Sequence, residues 1–178
     1  MKNLPWMGFF LTLMMTAAAY AEDSTKLIPP VEGVDIDRYL GVWYEIARLP
    51  HRFEKDLVGV TATYSLKRNG EIEVVNQGFK NTLDGEKKTA RGRARIPNPT
   101  VPGLLKVSFF WIFWSDYKII KLDVENYGWV VVTSNSKKYL WILSRTPKID
   151  DALRADLTAF ARENGFDVER LIWVEQKG

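Results

Sequence analysis

The sequence contains no cysteine and a single histidine. The first absence removes disulfide bonds, thiol nucleophiles and thiolate metal ligands together. It also leaves no residue for the cysteine-linked lipid of a lipoprotein. The second leaves little imidazole chemistry, because His51 stands beside Arg52 with no serine or carboxylate spacing that suggests a triad. His51 is expected as a solvated loop side chain. Metal-ligand clusters and Gly-rich phosphate loops are lacking as well. The acidic pair Asp150-Asp151 fits a helix N-terminus better than an acid–base couple. No catalytic residue, no metal and no cofactor is expected, so the chain is not expected to be an enzyme.

Neither sign of charge dominates. There are 25 Lys+Arg against 22 Asp+Glu, and the basic residues form no long tract, which argues against a nucleic-acid partner. Long apolar runs are also scarce. Leu4 to Met15 is one, and it falls short of the roughly 20 residues that span a bilayer. Lys2 precedes it and Ala19-Tyr20-Ala21 follows, the charged, apolar and small-residue regions of a secretory signal. Residues 1–21 are expected to be a signal peptide, and 22–178 one folded domain with a sizeable core.

Aromatic residues, by contrast, are plentiful: 13% of the chain, with seven Trp. Such side chains bury large areas or sit where apolar surface meets water. Beyond Pro29-Pro30, short apolar stretches alternate with turn signals about every ten residues, the pattern of an all-β sandwich or barrel. The expected strands are 41–49, 57–67, 71–79, 87–96, 104–110, 116–123, 127–133 and 138–144. Asn69-Gly70 is the strongest hairpin turn, since both residues tolerate positive φ, and Asp84-Gly85 marks another.

The fourth strand is unusual: Arg91, Arg93 and Arg95 alternate with Ala90, Gly92 and Ala94. Three small residues on one face either line an inner wall, removing volume where a ligand would sit, or belong to an edge strand kept soluble by arginines. After Pro147 the period changes. Leu153, Leu157, Phe160 and Ala161 follow helical spacing and Asn164-Gly165 makes a stop, so a helix should lie on the sheet by that stripe. Residues 171–174 form one last short strand.

Gly41-Val42-Trp43-Tyr44 resembles the G-x-W motif of the lipocalin family. Residues 122–127, with Asp123 and Tyr127, look like that family's T-D-Y-x-x-Y motif, although Leu122 and Val124 replace its Thr and Tyr. Arg145 in Ser-Arg-Thr-Pro matches the third conserved position. The resemblance covers about Val34 to Gln176, and its wording is similar to the bacterial Blc-type branch, which also resembles apolipoprotein D. It implies an eight-stranded antiparallel up-and-down barrel, with the C-terminal α-helix packed outside and a short ninth strand. Trp43 and Arg145 would then meet at the closed end, guanidinium over indole, a contact of about 0.5–2 kcal/mol depending on desolvation.

With Trp43 assigned inward, the resemblance places Ala62, Tyr64, Val74, Asn76, Ala90, Gly92, Ala94, Val107, Phe109, Val130, Tyr139 and Trp141 inside. Those near Trp43 would pack the core rather than the ligand. Glu45 shares the parity of Trp43, and a buried carboxylate there either pairs with a nearby Arg or Tyr or binds a polar group of the ligand. Trp111, Ile112, Phe113 and Trp114 fall in the loop after the fifth strand, at the open mouth. They would fold over it as a lid or touch a membrane surface, which Trp favours.

The expected function is carriage of a fatty acid or lysophospholipid in the bacterial cell envelope, as an exported protein of the periplasm, peripheral to the outer membrane at most. A chain of about 16 carbons contributes on the order of 12 kcal/mol gross on burial. Association costs about 4 kcal/mol or more, so micromolar binding follows without a special contact. Monomer and homodimer both remain open. Two other readings stand beside the carrier: an envelope interaction protein with a filled barrel, and a lipid-acting enzyme using Glu45, a tyrosine or His51.

Overall fold

The computed structural model describes residues 28–177 except Trp111. The expected signal segment lies outside the described residues. A short helix, α1 (Ile36–Tyr39), leads into β1 (Gly41–Arg48), followed by β2 (Leu57–Leu66), β3 (Ile72–Lys80) and β4 (Lys87–Arg95). Next come β5 (Leu104–Phe110), β6 (Phe113–Leu122), β7 (Trp129–Thr133) and β8 (Leu140–Ser144). Helix α2 (Asp151–Glu163) and a two-residue strand β9 (Ile172–Trp173) complete the chain.

Each of the eight long strands pairs antiparallel with the next, and β1 pairs with both β8 and β2, which closes the barrel. Closure leaves no free edge among the eight. Strand β4 is bonded to β3 and β5, so its small residues belong to a wall and not to an edge. The Asn69-Gly70 turn forms with Gly70 at φ +80°. Several ends shift by one residue and three starts shift by two or more, β8 beginning at Leu140 rather than Lys138. Strand β6 begins at Phe113 rather than Asp116. Strand β7 begins at Trp129 because Tyr127 sits at φ +55°, which interrupts the extended chain.

Alternation sorts the apolar residues into two layers. The inner one gathers Trp43, Tyr64, Ile72, Val74, Ala94, Leu105, Ile119, Val130 and Leu143. The outer one joins Ile46, Ala47, Val131, Leu140 and Ile142 to Leu157 and Ala161 of α2. Asp150 caps that helix by accepting from Leu153 N at 2.8 Å, and the chain turns away at Gly165, φ +76°.

One end of the barrel is shut. The Arg145 guanidinium stacks 3.8 Å from the Trp43 ring centre. It also donates to Val42 O at 2.8 Å, Arg38 O at 2.8 Å, Tyr39 O at 3.2 Å and Leu40 O at 2.8 Å. Trp43 Nε1 donates to Tyr39 O at 2.9 Å, so indole and guanidinium together fasten α1 across the floor. Gly41 is required beside them: its φ is +98°, and a Cβ would lie 3.3 Å from Arg145 Nη1.

The 122–127 turn keeps its bonding despite the two departures. Asp123 accepts from Asn126 N at 3.1 Å and Gly128 N at 3.2 Å, while the Tyr127 hydroxyl accepts from Asp35 N at 2.8 Å. Leu122 enters the core and Val124 points to solvent. Arg145→Ala should lower the unfolding free energy in urea by about 2–4 kcal/mol, since one stack and several carbonyl partners vanish. Arg145→Lys should recover less than half of it, because an ammonium lacks the planar fork.

Candidate functional site

The inner wall changes character along the axis. On β4, Ala94 is fully buried, Gly92 half-buried and Ala90 exposed; on β6 the same sequence runs Ile119, Tyr117, Ser115. Strand β3 goes from buried Ile72 and Val74 to half-buried Asn76, and β5 from Leu105 to half-buried Val107 and Phe109. Solvent therefore reaches the upper half of the interior from one end, while the Trp43–Arg145 end is packed solid. The candidate site is this open cup.

The registers bring the expected residues into rows. Ala62, Asn76 and Ala90 lie side by side on β2, β3 and β4, as do Tyr64, Val74 and Gly92 one step deeper. Small side chains in the upper row leave room in the cup. At Gly92 a Cβ would meet Ser108 O at 2.7 Å and Phe109 Cδ1 at 2.8 Å, so the glycine lets Phe109 lie against the wall. Ala94, Val74 and Val130 pack the floor cluster, as expected for positions near Trp43. The Asn76 Oδ1 is buried without a hydrogen-bond partner, an unused acceptor on the cup wall.

A polar layer separates cup from floor. Tyr64 donates to the Tyr117 hydroxyl at 2.9 Å, and the Tyr39 and Tyr117 hydroxyls are 2.6 Å apart. Burial holds all three phenols well above their ordinary range, so they stay neutral. Tyr39 and Tyr117 were not among the expected site residues. Extending the parity of β5 across its hairpin would have found Tyr117. Tyr39 lies in α1, where no strand period applies.

A second group sits under the β1–β2 connection at the mouth. Glu45 accepts from Arg48 Nη1 at 2.6 Å, both being buried. Pairing with an arginine, one of the two expectations for Glu45, is what the structure shows. Arg48 itself was missed for a physical reason. A bulge between Glu45 and Ala47 shifts the register, sending Ile46 and Ala47 to the outer layer and Arg48 inward. Its Nη2 donates to Glu54 O at 2.8 Å and Leu57 O at 3.0 Å, fastening both ends of the connection.

His51 is a correction. It is not solvated: its side chain is only 4% exposed, with Nε2 2.9 Å from Glu54 Oε2. The ring is boxed by Phe53, Tyr139 and Trp141 at 5.2–5.9 Å. The local signal for this burial is Glu54, three residues on. Tyr139 and Trp141 stack at 6.0 Å, and Trp141 Nε1 donates to Glu54 Oε2 at 3.1 Å. These mouth aromatics brace a loop, whereas Ala62, Asn76 and Ala90 face the cup.

The two carboxylates are driven apart. Burial, reinforced by the charge of Glu54, raises Glu45 well above the usual range in spite of Arg48. Burial also pushes on Glu54, but His51, the Trp141 N–H and Arg48 outweigh it and hold Glu54 below the usual range. Of the expected mouth residues, Ile112 and Phe113 are exposed. Trp114 lies on the outer wall over Arg93 and Arg95 at 4.9 and 4.4 Å. Trp111 lies outside the described residues.

A closed antiparallel barrel with one packed end and one wet, small-residue end is the architecture of a single-chamber binding protein. The chain belongs to the lipocalin family: residues 34–176 match the model of the lipocalin-like domain. It is 42% identical to the outer membrane lipoprotein Blc of Citrobacter freundii over 178 residues, all of this chain and 99% of that one. With apolipoprotein D of Bos taurus the identity is 36% over 155 residues, 83% of this chain and 80% of that one. Among solved structures the cockroach allergen Per a 4 superposes with TM-score 0.66 at 24% identity, covering 87% of this chain and 96% of that one, a likeness of fold. Family and relatives together imply binding of a small hydrophobic ligand.

The mouth cluster predicts an acid limb in stability. Because the folded-state value of Glu54 is depressed, its contribution is complete above the ordinary carboxylate value and is lost as pH falls through the depressed one. Glu54→Gln should cost about 1–3 kcal/mol in urea unfolding at neutral pH. That cost should shrink towards zero in acid. A pH-independent cost would refute the assignment.

Proposed function

We propose that the chain is a non-catalytic carrier that holds one fatty acid or lysophospholipid molecule in the cup. The observation that supports this most is the graded inner wall. Its open half combines the small residues Ala62, Ala90 and Gly92 with apolar Val107 and Phe109, and one buried acceptor, Asn76 Oδ1, has no donor of its own. An amphiphile supplies what the cup lacks: an acyl chain to displace water from the apolar wall and a hydroxyl or protonated carboxyl to donate to Asn76. Tyr64 lies one row deeper than Asn76, in the tyrosine layer at the base of the cup, where a polar head can reach it. Glu45 is held by Arg48 and serves the mouth loop instead of the ligand.

Native mass spectrometry of protein recovered from the periplasm tests the carrier directly. A bound acyl species at one per chain is expected. In a displacement assay with a fluorescent fatty acid, Ala90→Trp should fill the cup and weaken binding about tenfold or more, roughly two buried methylenes' worth. Asn76→Leu should keep acyl binding and lose the preference for a free acid over its methyl ester. If the protein is recovered empty and neither fatty acid nor lysophospholipid binds, the carrier reading fails and a filled-barrel interaction protein replaces it.

We infer further that the protein works in the cell envelope, exported by residues 1–21. The outer-membrane name of the Citrobacter relative supports the compartment. That relative is called a lipoprotein, whereas this sequence offers no cysteine to acylate, so a periplasmic protein peripheral to the membrane is the consistent form. Osmotic shock should release it without detergent and without incorporated radiolabelled palmitate. Release that requires detergent, with label in the protein, would overturn this location.

A further inference from the structure

We propose that the β5–β6 tip and the adjoining β4 wall form a docking face for a lipid bilayer carrying anionic headgroups. Phe110, Ile112 and Phe113 at the tip are 68%, 73% and 71% exposed. Phe110 and Phe113 are register partners, so the three side chains form one apolar knob at the mouth. A knob of this size exposed to water calls for an apolar environment.

The charge beside it says which one. Strand β4, Lys-Lys-Thr-Ala-Arg-Gly-Arg-Ala-Arg, carries five basic residues and no acidic one, and its arginines alternate onto the outer face. Glu86, Glu73 and Glu71 meet Lys88, Arg91 and Arg93 at 2.6, 3.7 and 3.5 Å. Lys87 and Arg95 have no carboxylate in ion-pair contact among the described residues, and both are exposed. Trp114, the first outward side chain below the knob, is held flat against this wall by Arg93 and Arg95. By register Arg91 is level with Phe110, Arg93 and Arg95 lie below the knob with the indole, and Lys87 and Lys88 continue beside it toward the mouth. An apolar knob with an indole and basic side chains around it suits a bilayer surface, where acyl region, interfacial belt and anionic headgroups meet.

A second copy of the chain suits this face poorly, because two tips meeting would bring two basic walls together. Val124, an exposed apolar residue of the closed end, lies between Asp123 and Glu125 and would be repelled by the same surface. Docking at the knob brings the mouth of the cup down to the lipid. The proposal concerns the outside of the barrel and does not depend on what the cup carries.

The absence of native cysteine permits a local test in the full chain. Ile112→Cys and, as the closed-end control, Val124→Cys each carry one environment-sensitive fluorophore. Vesicles of phosphatidylglycerol and phosphatidylcholine in equal parts should shift the Ile112 label to the blue and leave the Val124 label unchanged. Vesicles of phosphatidylcholine alone should bind about tenfold more weakly or worse, as should the Lys87→Glu/Lys88→Glu/Arg91→Glu variant on the mixed vesicles, and raised salt should weaken the mixed-vesicle signal. Urea unfolding checks that the variant is folded.

Vesicle binding with no shift at Ile112 would place the contact elsewhere and overturn the proposal. Equal binding to both vesicle types would refute the anionic partner. A shift that grows with protein concentration in the absence of vesicles would make the knob a self-association face. No acyl ligand enters the assay, so any of these failures leaves the carrier reading untouched.

Discussion

Everything in this molecule depends on one end of the barrel being closed by a charge. Arg145 sits over Trp43 and reaches carbonyls of α1 and β1, so a cation takes the place that a larger apolar plug would otherwise need. The arrangement tolerates a charge in a poorly solvated position because its hydrogen bonds are spread over several backbone acceptors. With the floor fixed, the tyrosine layer above it has a base. The wall beyond that layer can be left loosely filled without the barrel collapsing.

The opposite end is organised by a second set of charges, and there they hold a loop. Arg48 links Glu45, Glu54 O and Leu57 O, while His51 and Trp141 meet the Glu54 carboxylate. Buried ion clusters add little net stability against an apolar alternative, but they penalise wrong arrangements strongly. Here the cluster fastens both ends of the β1–β2 connection. Between the two charged layers the wall residues are small or apolar, which suits a chamber that must accept apolar matter from a wet mouth.

The outer surface follows the same division of labour. The α2 stripe covers one side of the barrel, where Leu157 and Ala161 complete the outer core. Among the described residues the outer face of β4 is left uncovered and carries alternating arginines with Trp114 across them. A strand whose inner face must be small to make room has only its outer face left for solubility, and β4 uses arginine for it.

The sequence by itself determined the strands, their order and the closing helix, because period-two alternation, turn residues and helical spacing are local signals. Alternation also showed the small face of β4, but only its pairing with β3 and β5 made that face a wall rather than an edge. The Trp43–Arg145 contact, between residues of different strands, was implied by the family resemblance and not by any local period. The sequence did not determine the polar groups of the mouth. A single extra residue at the bulge after Glu45 reverses the parity of Arg48, and no local signal announces a bulge. Nor did it place His51, which the sequence presents as a loop residue and the fold buries against Glu54, Tyr139 and Trp141. Glu54 is a near neighbour in sequence, but Tyr139 and Trp141 lie about ninety residues away, and only closure of the barrel brings them to the ring.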